Sequence, residues 1–421
     1  MTKTTSLLKK IRSFGPGIVL AGVAIGGSHI IQSTRAGANY GFGLIIVILL
    51  AHLFKYPFLA MSSRYTISTG HSLLHGYKRV GDWALVSFGL LTLSTMFFIQ
   101  AALLLVTAGL AESLFEFSLD TKSWSLILAI TMAFILFIGR YQLLDKIMKL
   151  LVLVLSVSTA TAVTLGFVIF FKSDVPYNAP AWGDIFSYEG LFFMVAMVGW
   201  MPILLDGAVW HSLWTIEKRK TNFIRLKDSL FDFNVGYILT ALLAVCFLSL
   251  GVIFLYQNNI VLSNSGVIFS RQLISSYQSS LGEWATPIIK VSAFTTMFST
   301  ALAVLDIYPR VLRKITKMHY LSLYEKVGGK AIHNAVLIFL ATTSVFLIFF
   351  FSSKMKQMLD LATTISFLTT PYLAWITYLV MRLPNRRRKV LTPNWFLRLA
   401  EVGIVFWSLF ALVFISKYFL N

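Results

Sequence analysis

The chain has 421 residues and a formal net charge of +19, yet 57% of its residues are hydrophobic and only 13% are charged. Apolar stretches of about 18 residues or more recur from end to end, and each is long enough to cross the roughly 30 Å hydrocarbon core of a bilayer as a helix. These features exclude a soluble globular protein and indicate one integral membrane domain over residues 1–421.

Eleven apolar segments are predicted to be membrane-spanning helices, so the predicted fold is all-α and polytopic. In chain order, the first to the eleventh span cover residues 15–37, 42–67, 84–110, 123–139, 146–171, 189–214, 232–256, 287–308, 331–352, 356–381 and 396–418. The longest connection, 257–286, is expected to be an ordinary loop, with a short helix as the alternative.

The first span contains unusual sequences for a membrane helix. Gly15-Pro16-Gly17 stands near its start, and Gly26-Gly27-Ser28-His29 stands near its middle. Glycine weakens a helix and proline removes a backbone donor. Irregular backbone at membrane depth persists only where it lines a cavity or is buried in protein. The first span is therefore predicted to be interrupted, with a kinked packing helix as the alternative.

The sixth span carries a second candidate interruption. Gly199-Trp200-Met201-Pro202 lies near its middle and Asp206 follows. Two interruptions, one in the first span of each group of five, indicate a secondary transporter built from inverted repeats with its site between them. We expect repeat one over about 14–172, repeat two over about 187–382, and an extra helix over about 396–418.

Basic residues cluster in alternate connections, at the N-terminus (residues 3–12) and again around residues 78, 140, 218, 310 and 386. This alternation follows the positive-inside rule, and it predicts a cytoplasmic N-terminus in a bacterial-type inner membrane. It also explains the positive charge through topology and anionic lipid, without nucleic acid as a partner. The single cysteine, Cys246, excludes an internal disulfide and a thiolate metal cluster.

Several of these motifs have a familiar pattern. Gly15-Pro16-Gly17, the run from Arg35 to Phe42, Met201-Pro202 and His211-Ser212 together resemble the NRAMP family of metal-ion transporters. The resemblance covers nearly the whole chain. It implies the LeuT-type fold, in which ten core helices form two inverted repeats.

The sequence departs from that family at the metal site. The family's first helix carries Asp-Pro-Gly-Asn, whose Asp and Asn hold the metal, where this chain has Gly26-Gly27-Ser28-His29. The family's Met-Pro-His is Met201-Pro202-Ile203 here, and a glutamine of its tenth helix falls at Thr363. The acidic residues of its third helix are missing, with Gln100 as the main polar group there. The chain is thus identified as a divergent branch to which transition-metal transport does not carry over.

Two substrate classes remain open. Amides of Gly26 and Gly27 at the start of a half-helix, with Ser28 and His29 as further donors, would suit a small oxyanion, and Arg35 lies two turns along. Bicarbonate is the leading candidate, with nitrate, formate and chloride open. The alternative is a divalent metal, Mg²⁺ or Mn²⁺, held in part by His29, Met201 and Asp206. The candidate substrate-binding residues are Gly26, Gly27, Ser28, His29, Met201, Pro202, Asp206 and Thr363.

The resemblance further implies a sodium site in the eighth span, with Thr296 and Ser299 as candidate ligands for a coupling Na⁺. The alternative is that these hydroxyls serve only helix packing. Arg35 and His211 are gating or charge-pair candidates, and His211 is also a possible proton carrier. No catalytic constellation or cofactor motif occurs, so we expect a transporter and not an enzyme. A non-transporting sensor is the remaining alternative, and the apolar faces permit a monomer or a dimer.

Overall fold

The computed structural model describes residues 15–138, 141–172, 177, 179–221, 223–263, 266–351, 355–384 and 392–420. In these residues every regular element is helical. The basic N-terminal segment (residues 3–12), Arg140 and the basic run at 386–389 lie outside the described residues.

All eleven predicted spans coincide with helices. In chain order these are Pro16–Tyr40, Ile45–Thr69, Asp82–Phe115, Thr121–Ile138, Tyr141–Lys172, Tyr188–Thr221, Leu226–Tyr256, Thr286–His319, Gly329–Phe351, Met355–Arg382 and Asn394–Leu420. Nine described helices are long and apolar enough to cross a membrane. The longest of them, Pro16–Thr69, comprises the first and second spans, and the sixth span consists of two shorter helices.

The first and second spans separate at Gly41. A straight helix of 54 residues would be about 80 Å long, more than twice the thickness of a bilayer core. Gly41 has φ +52° and opens a 3₁₀ turn, Gly41–Leu44, before the second span begins. Because the left-handed region disfavours residues with a Cβ atom, glycine suits this turn.

The predicted opening of the first span is wrong, because its helix stays wound. An α-helix over Pro16–Ala24 passes into a π-helix over Ile25–Ser33 and then into a second α-helix over Thr34–Tyr40. A wide π turn keeps backbone groups hydrogen-bonded inside the helix, whereas an opened segment in this buried position would leave them unsatisfied.

The two glycines of this segment serve close packing. A Cβ atom on Gly26 would collide with the Thr300 side chain of the eighth span, and one on Gly27 would lie 2.6 Å from a ring carbon of Trp200 in the sixth span. The first span is therefore the packing helix of the alternative interpretation, and its glycines allow two neighbouring spans to approach it.

Packing partners in the first five spans recur in the second five. The first span packs on the fifth and the sixth on the tenth; the first packs on the seventh and the sixth on the second. The third packs on the tenth and the eighth on the fifth, and the third and eighth pack on each other. If the first five spans correspond in order to the sixth to tenth spans, each of these contacts has its counterpart in the other repeat. The repeat boundaries themselves stay a prediction.

The seventh span anchors the first. The Asp232 carboxylate accepts hydrogen bonds from the amides of Gly15 and Gly17 at 3.1 and 2.7 Å, which caps the start of the first span. Near the other end, a Cβ atom on Gly37 would overlap the backbone carbonyl of Leu248. Contact between the two backbones holds the first span firmly in the bundle.

Among the described residues the connections contain four α-helices: Leu73–Val80, Trp182–Ile185, Gly266–Leu281 and Leu321–Val327. Gly266–Leu281 lies in the long connection that was expected to be a loop, and that expectation is wrong. Its buried apolar residues, including Phe269 and Leu273, pack against the third and fifth spans, which accounts for a helix there.

Candidate substrate site

The sixth span is interrupted, as predicted. Its first half, Tyr188–Trp200, ends at Met201, and its second half begins at Gly207. The intervening residues are buried and belong to no helix. The last carbonyl groups of the first half therefore need donors from outside the helix.

A lysine of the second span supplies those donors. The Nζ atom of Lys55 donates hydrogen bonds to the carbonyl oxygens of Val198, Gly199 and Ile203 at 2.7, 3.0 and 3.2 Å. Lys55 is completely buried, and its Nζ atom lies 5.6 Å from the ring centre of Trp407. A lysine ammonium has three N–H groups, one for each of these acceptors.

Ser28 and His29 are held by other parts of the protein. His29 Nε2 lies 2.8 Å from the carbonyl oxygen of Thr240, which can only accept, so this nitrogen carries a proton. Ser28 Oγ lies 2.7 Å from His29 Nδ1 and 2.7 Å from the carbonyl oxygen of Pro202. Ser28 thereby joins the first span to the interruption of the sixth, and His29 is turned toward the seventh span.

A small cavity lies between the first, third, sixth and eighth spans. Its volume is about 20 Å³, which is room for about one water molecule. Gly27 and Ser28 contribute the first-span wall, and Trp200 and Trp210 contribute the sixth-span wall. None of the described residues that line it carries a carboxylate. At this volume the cavity must widen to admit an ion of several heavy atoms.

Two of the cavity-lining side chains have unused hydrogen-bond donors. Trp200 and Trp210 are 3% and 0% exposed, and their indole nitrogens have no acceptor among the described residues. An indole N–H can only donate. A buried donor without a partner is unfavourable by about 1–3 kcal/mol, so either indole gains from an acceptor that comes within its reach.

The other predicted site residues lie around the cavity and do not line it. Met201 and Pro202 form the interruption itself, and Asp206 directly precedes the second half-helix, in the N-cap position. Asp206 is near enough to Lys55 for electrostatic attraction but forms no ion pair with it. Thr363 is buried, and its hydroxyl donates within its own helix to the carbonyl of Leu359 at 2.8 Å.

Arg35 forms the charge pair that its position suggested. Its guanidinium donates to both carboxylate oxygens of Asp360, in the tenth span, at 2.7 and 3.1 Å. The side chains are 4% and 15% exposed, so the pair is largely buried. It joins the first span to the tenth. His211, in contrast, contacts a hydroxyl: its Nδ1 atom lies 2.8 Å from Ser62 Oγ.

The hydroxyls of the eighth span reach the first span through Thr300. Thr300 Oγ1 donates to the carbonyl oxygen of Gly22 at 3.2 Å. Ser299 donates to the carbonyl of Thr296 in its own helix at 2.9 Å. Thr296 Oγ1 is buried without a partner among the described residues. Thr296 and Thr300 are one helical turn apart, so their hydroxyls share one face.

Comparison with known proteins decides the family. The family model for natural resistance-associated macrophage protein-like (Nramp) proteins matches residues 17–419, nearly the whole chain. The chain belongs to the Nramp family. Members of this family are secondary transporters of small ions, so this Nramp protein is a multi-pass membrane transporter and not an enzyme.

A relative and two solved structures resemble this Nramp protein along its length. Uncharacterized protein PM0681 of Pasteurella multocida is 34% identical over 412 residues, which cover 97% of this chain and 93% of the relative. A mutant of the manganese transporter of Eremococcus coleocola superposes with a TM-score of 0.69 at 14% sequence identity, covering 96% of this chain and 86% of the other. MhsT in complex with L-phenylalanine superposes with a TM-score of 0.58 at 14% sequence identity, covering 94% of this chain and 98% of the other. These structures confirm the LeuT-type fold.

Sequence reasoning missed three parts of this Nramp site: Lys55, the Asp360 partner of Arg35, and the indole donors. Lys55 carried a usable signal, because a lysine in the middle of an apolar span is rare and marks a functional position. Asp360 lies 325 residues from Arg35, so no local pattern pairs them. The free indole donors depend on tertiary packing alone.

Proposed function

We propose that this Nramp-family protein is a secondary transporter of a small inorganic anion, with bicarbonate as the leading substrate and Na⁺ or H⁺ as the coupling ion. The observation that carries the proposal is the pair of buried indole donors, Trp200 and Trp210, in a cavity whose described walls contain no carboxylate. An acceptor that reaches these indoles satisfies them, whereas a cation finds no counter-charge in the described walls. An oxyanion supplies the missing acceptors.

The ammonium of Lys55 supports the same conclusion. Three backbone oxygens at the sixth-span interruption would otherwise be hard ligands for a cation, and Lys55 occupies all three. A divalent ion entering beside a buried ammonium would meet repulsion, with Asp206 as the nearest opposite charge in the interruption. Among the described residues no group of three or more His, Cys, Asp or Glu side chains is arranged to hold a metal ion.

Bicarbonate fits the donor set because it is planar, singly charged, and both accepts and donates hydrogen bonds. Its oxygens would accept from the indoles of Trp200 and Trp210, and its own hydroxyl would donate to Ser28 Oγ. Nitrate, formate and chloride accept hydrogen bonds but donate none.

The proposal places the N-terminus in the cytoplasm of a bacterial-type inner membrane, following the charge alternation of the connections.

A second candidate is a divalent metal, Mn²⁺ in particular. It is favoured by the fold shared with a protein named as a manganese transporter and by Asp206 and Met201 at the interruption. A softer site of one carboxylate and one thioether would have to form after the walls rearrange.

Removal of the indole donors tests the proposal. Trp200→Phe and Trp210→Phe keep the ring and delete the N–H group, and each should weaken bicarbonate binding by about tenfold to a hundredfold, the value of a hydrogen bond to a charged acceptor. Trp214→Phe is the matched control, because Trp214 is equally buried, has no acceptor among the described residues, and does not line the cavity. Binding measured by isothermal titration that is equal in all three variants would contradict the proposal.

A further inference from the structure

A second concave site lies at the end of the bundle that the charge pattern assigns to the cytoplasm. It is a pocket of about 260 Å³, lined by the segment after the second span, the inner half of the sixth span and the end of the eighth. Its walls contain five side-chain cations against one carboxylate, Glu217. The five cations are Lys220, Arg310, Arg313, Lys314 and Lys317.

The positive-inside rule explains basic residues on this side of the membrane, but it does not require them to surround a cavity. Two of the cations already have acidic neighbours: Lys220 pairs with Glu217 at 2.8 Å, and Arg310 pairs with Asp306 at 2.6 Å. Arg313, Lys314 and Lys317 have no ion pair with a carboxylate among the described residues, and Lys317 lies over the ring of Tyr324. The pocket therefore retains an uncompensated positive charge, and Arg313 and Lys314 are the two of these cations without a ring contact.

The charges in this pocket destabilise one another. Lys314 shares the pocket with the like charges of Lys317, Arg313 and Lys220. Burial, together with the charge of Lys314, lowers the pKa of His75 on the same wall to about 4. An anion with more than one negative charge would relieve this repulsion.

We infer that this pocket binds a phosphate-bearing anion, with Arg313 and Lys314 as its principal contacts. A guanidinium gives a phosphate two parallel hydrogen bonds, and an ammonium gives it a mobile point charge. The chemistry is shared by the headgroup of an anionic phospholipid and by a soluble phosphate compound. Because one wall belongs to the segment after the second span and to the sixth span, and the other to the eighth span, the bound anion bridges elements on both sides of the pocket.

The inference does not depend on which ion the transporter moves, so it is tested by binding and not by uptake. The first arm titrates inorganic pyrophosphate into the purified full-length protein in a neutral detergent. The second arm compares the melting temperature of the protein in nanodiscs of phosphatidylcholine alone and of phosphatidylcholine with phosphatidylglycerol. Each arm is run on the wild type and on two double variants of equal charge change.

The test variant is Arg313→Gln with Lys314→Gln. The control is Lys326→Gln with Lys330→Gln, which removes two exposed cations near the same end of the bundle but outside the pocket. If the natural ligand is a soluble phosphate compound, we expect the test variant to lose at least tenfold in pyrophosphate affinity. If the natural ligand is a lipid headgroup, we expect the test variant to lose the rise in melting temperature that phosphatidylglycerol causes. The control variant should keep both responses. Equal losses in both variants, or no response of the wild type to either probe, would overturn the inference.

Discussion

The buried lysine of the second span gives the sharpest prediction about how the interrupted sixth helix is held together. Lys55 donates to the carbonyl oxygens of Val198 and Gly199, in the last turn of a half-helix, and of Ile203, in the interruption. A buried acceptor left unsatisfied is unfavourable by about 1–3 kcal/mol, so loss of all three donors amounts to about 3 kcal/mol at the lower end. Lys55→Ala also leaves a cavity, which adds about 2 kcal/mol or more.

Part of this loss is offset, because the variant no longer buries an ammonium group. The two substitutions Lys55→Ala and Lys55→Met separate the contributions. Lys55→Met fills most of the volume and supplies no donor, whereas Lys55→Ala leaves space in which a small amine can sit. Both variants should unfold at a lower temperature than the wild type, and the alanine variant should be the less stable.

Added methylammonium should restore the alanine variant. Methylammonium is small and has three N–H donors. At a concentration one hundred times its dissociation constant, its binding would raise the free energy of unfolding by about 2.7 kcal/mol. Tetramethylammonium has the same charge but no N–H donor, so it should have no effect. The assay is thermal unfolding of the purified protein followed by intrinsic fluorescence. Equal effects of the two cations, or an alanine variant as stable as the wild type, would refute the assignment of Lys55 as a hydrogen-bonding ammonium.

Three further perturbations follow from the geometry. Asp360→Asn removes the partner of the buried Arg35 charge and should lower the free energy of unfolding by about 3 kcal/mol, measured by thermal unfolding. A double variant that exchanges the two charges should recover part of this stability. If it recovers none, the pair contributes only through local packing. Gly37→Ala forces a methyl group into the seventh-span backbone and should lower the free energy of unfolding by about 1–3 kcal/mol. Gly183→Ala is the control, because Gly183 has open space around it, and it should be neutral in the same assay. Equal effects of the two substitutions would refute the close contact. Thr296→Val should abolish any dependence of uptake on a sodium gradient, and persistence of that dependence would remove this hydroxyl from the coupling site.

The spans were predictable because each is an unbroken apolar segment that hydropathy alone detects. The sixth-span interruption was also predictable, since Met201-Pro202 after Gly199-Trp200 ends a helix through local backbone chemistry. The continuous helix of the first span was not predictable, because the same glycines that weaken a helix also permit close packing. Only the positions of Thr300 and Trp200 show which use Gly26 and Gly27 serve.

The candidate site was predictable in location and not in chemistry. Ser28, Met201 and Pro202 do meet where the first and sixth spans cross. The donors on which the anion proposal rests come from elsewhere: Lys55 reaches in from the second span, and the indole of Trp210 depends on how the second half-helix is oriented. Such contacts join residues that are distant in sequence, and no local pattern encodes them.

The central claim is that this Nramp-family protein moves an anion, and uptake into proteoliposomes tests it most directly. Labelled bicarbonate and labelled Mn²⁺ are offered side by side to vesicles that contain the wild type, the Trp200→Phe variant or no protein. The account predicts bicarbonate uptake by the wild type, strongly reduced uptake by the variant, and no Mn²⁺ uptake above that of empty vesicles. Mn²⁺ uptake without bicarbonate uptake would contradict it and would show that Asp206 and Met201 form a metal site beside Lys55.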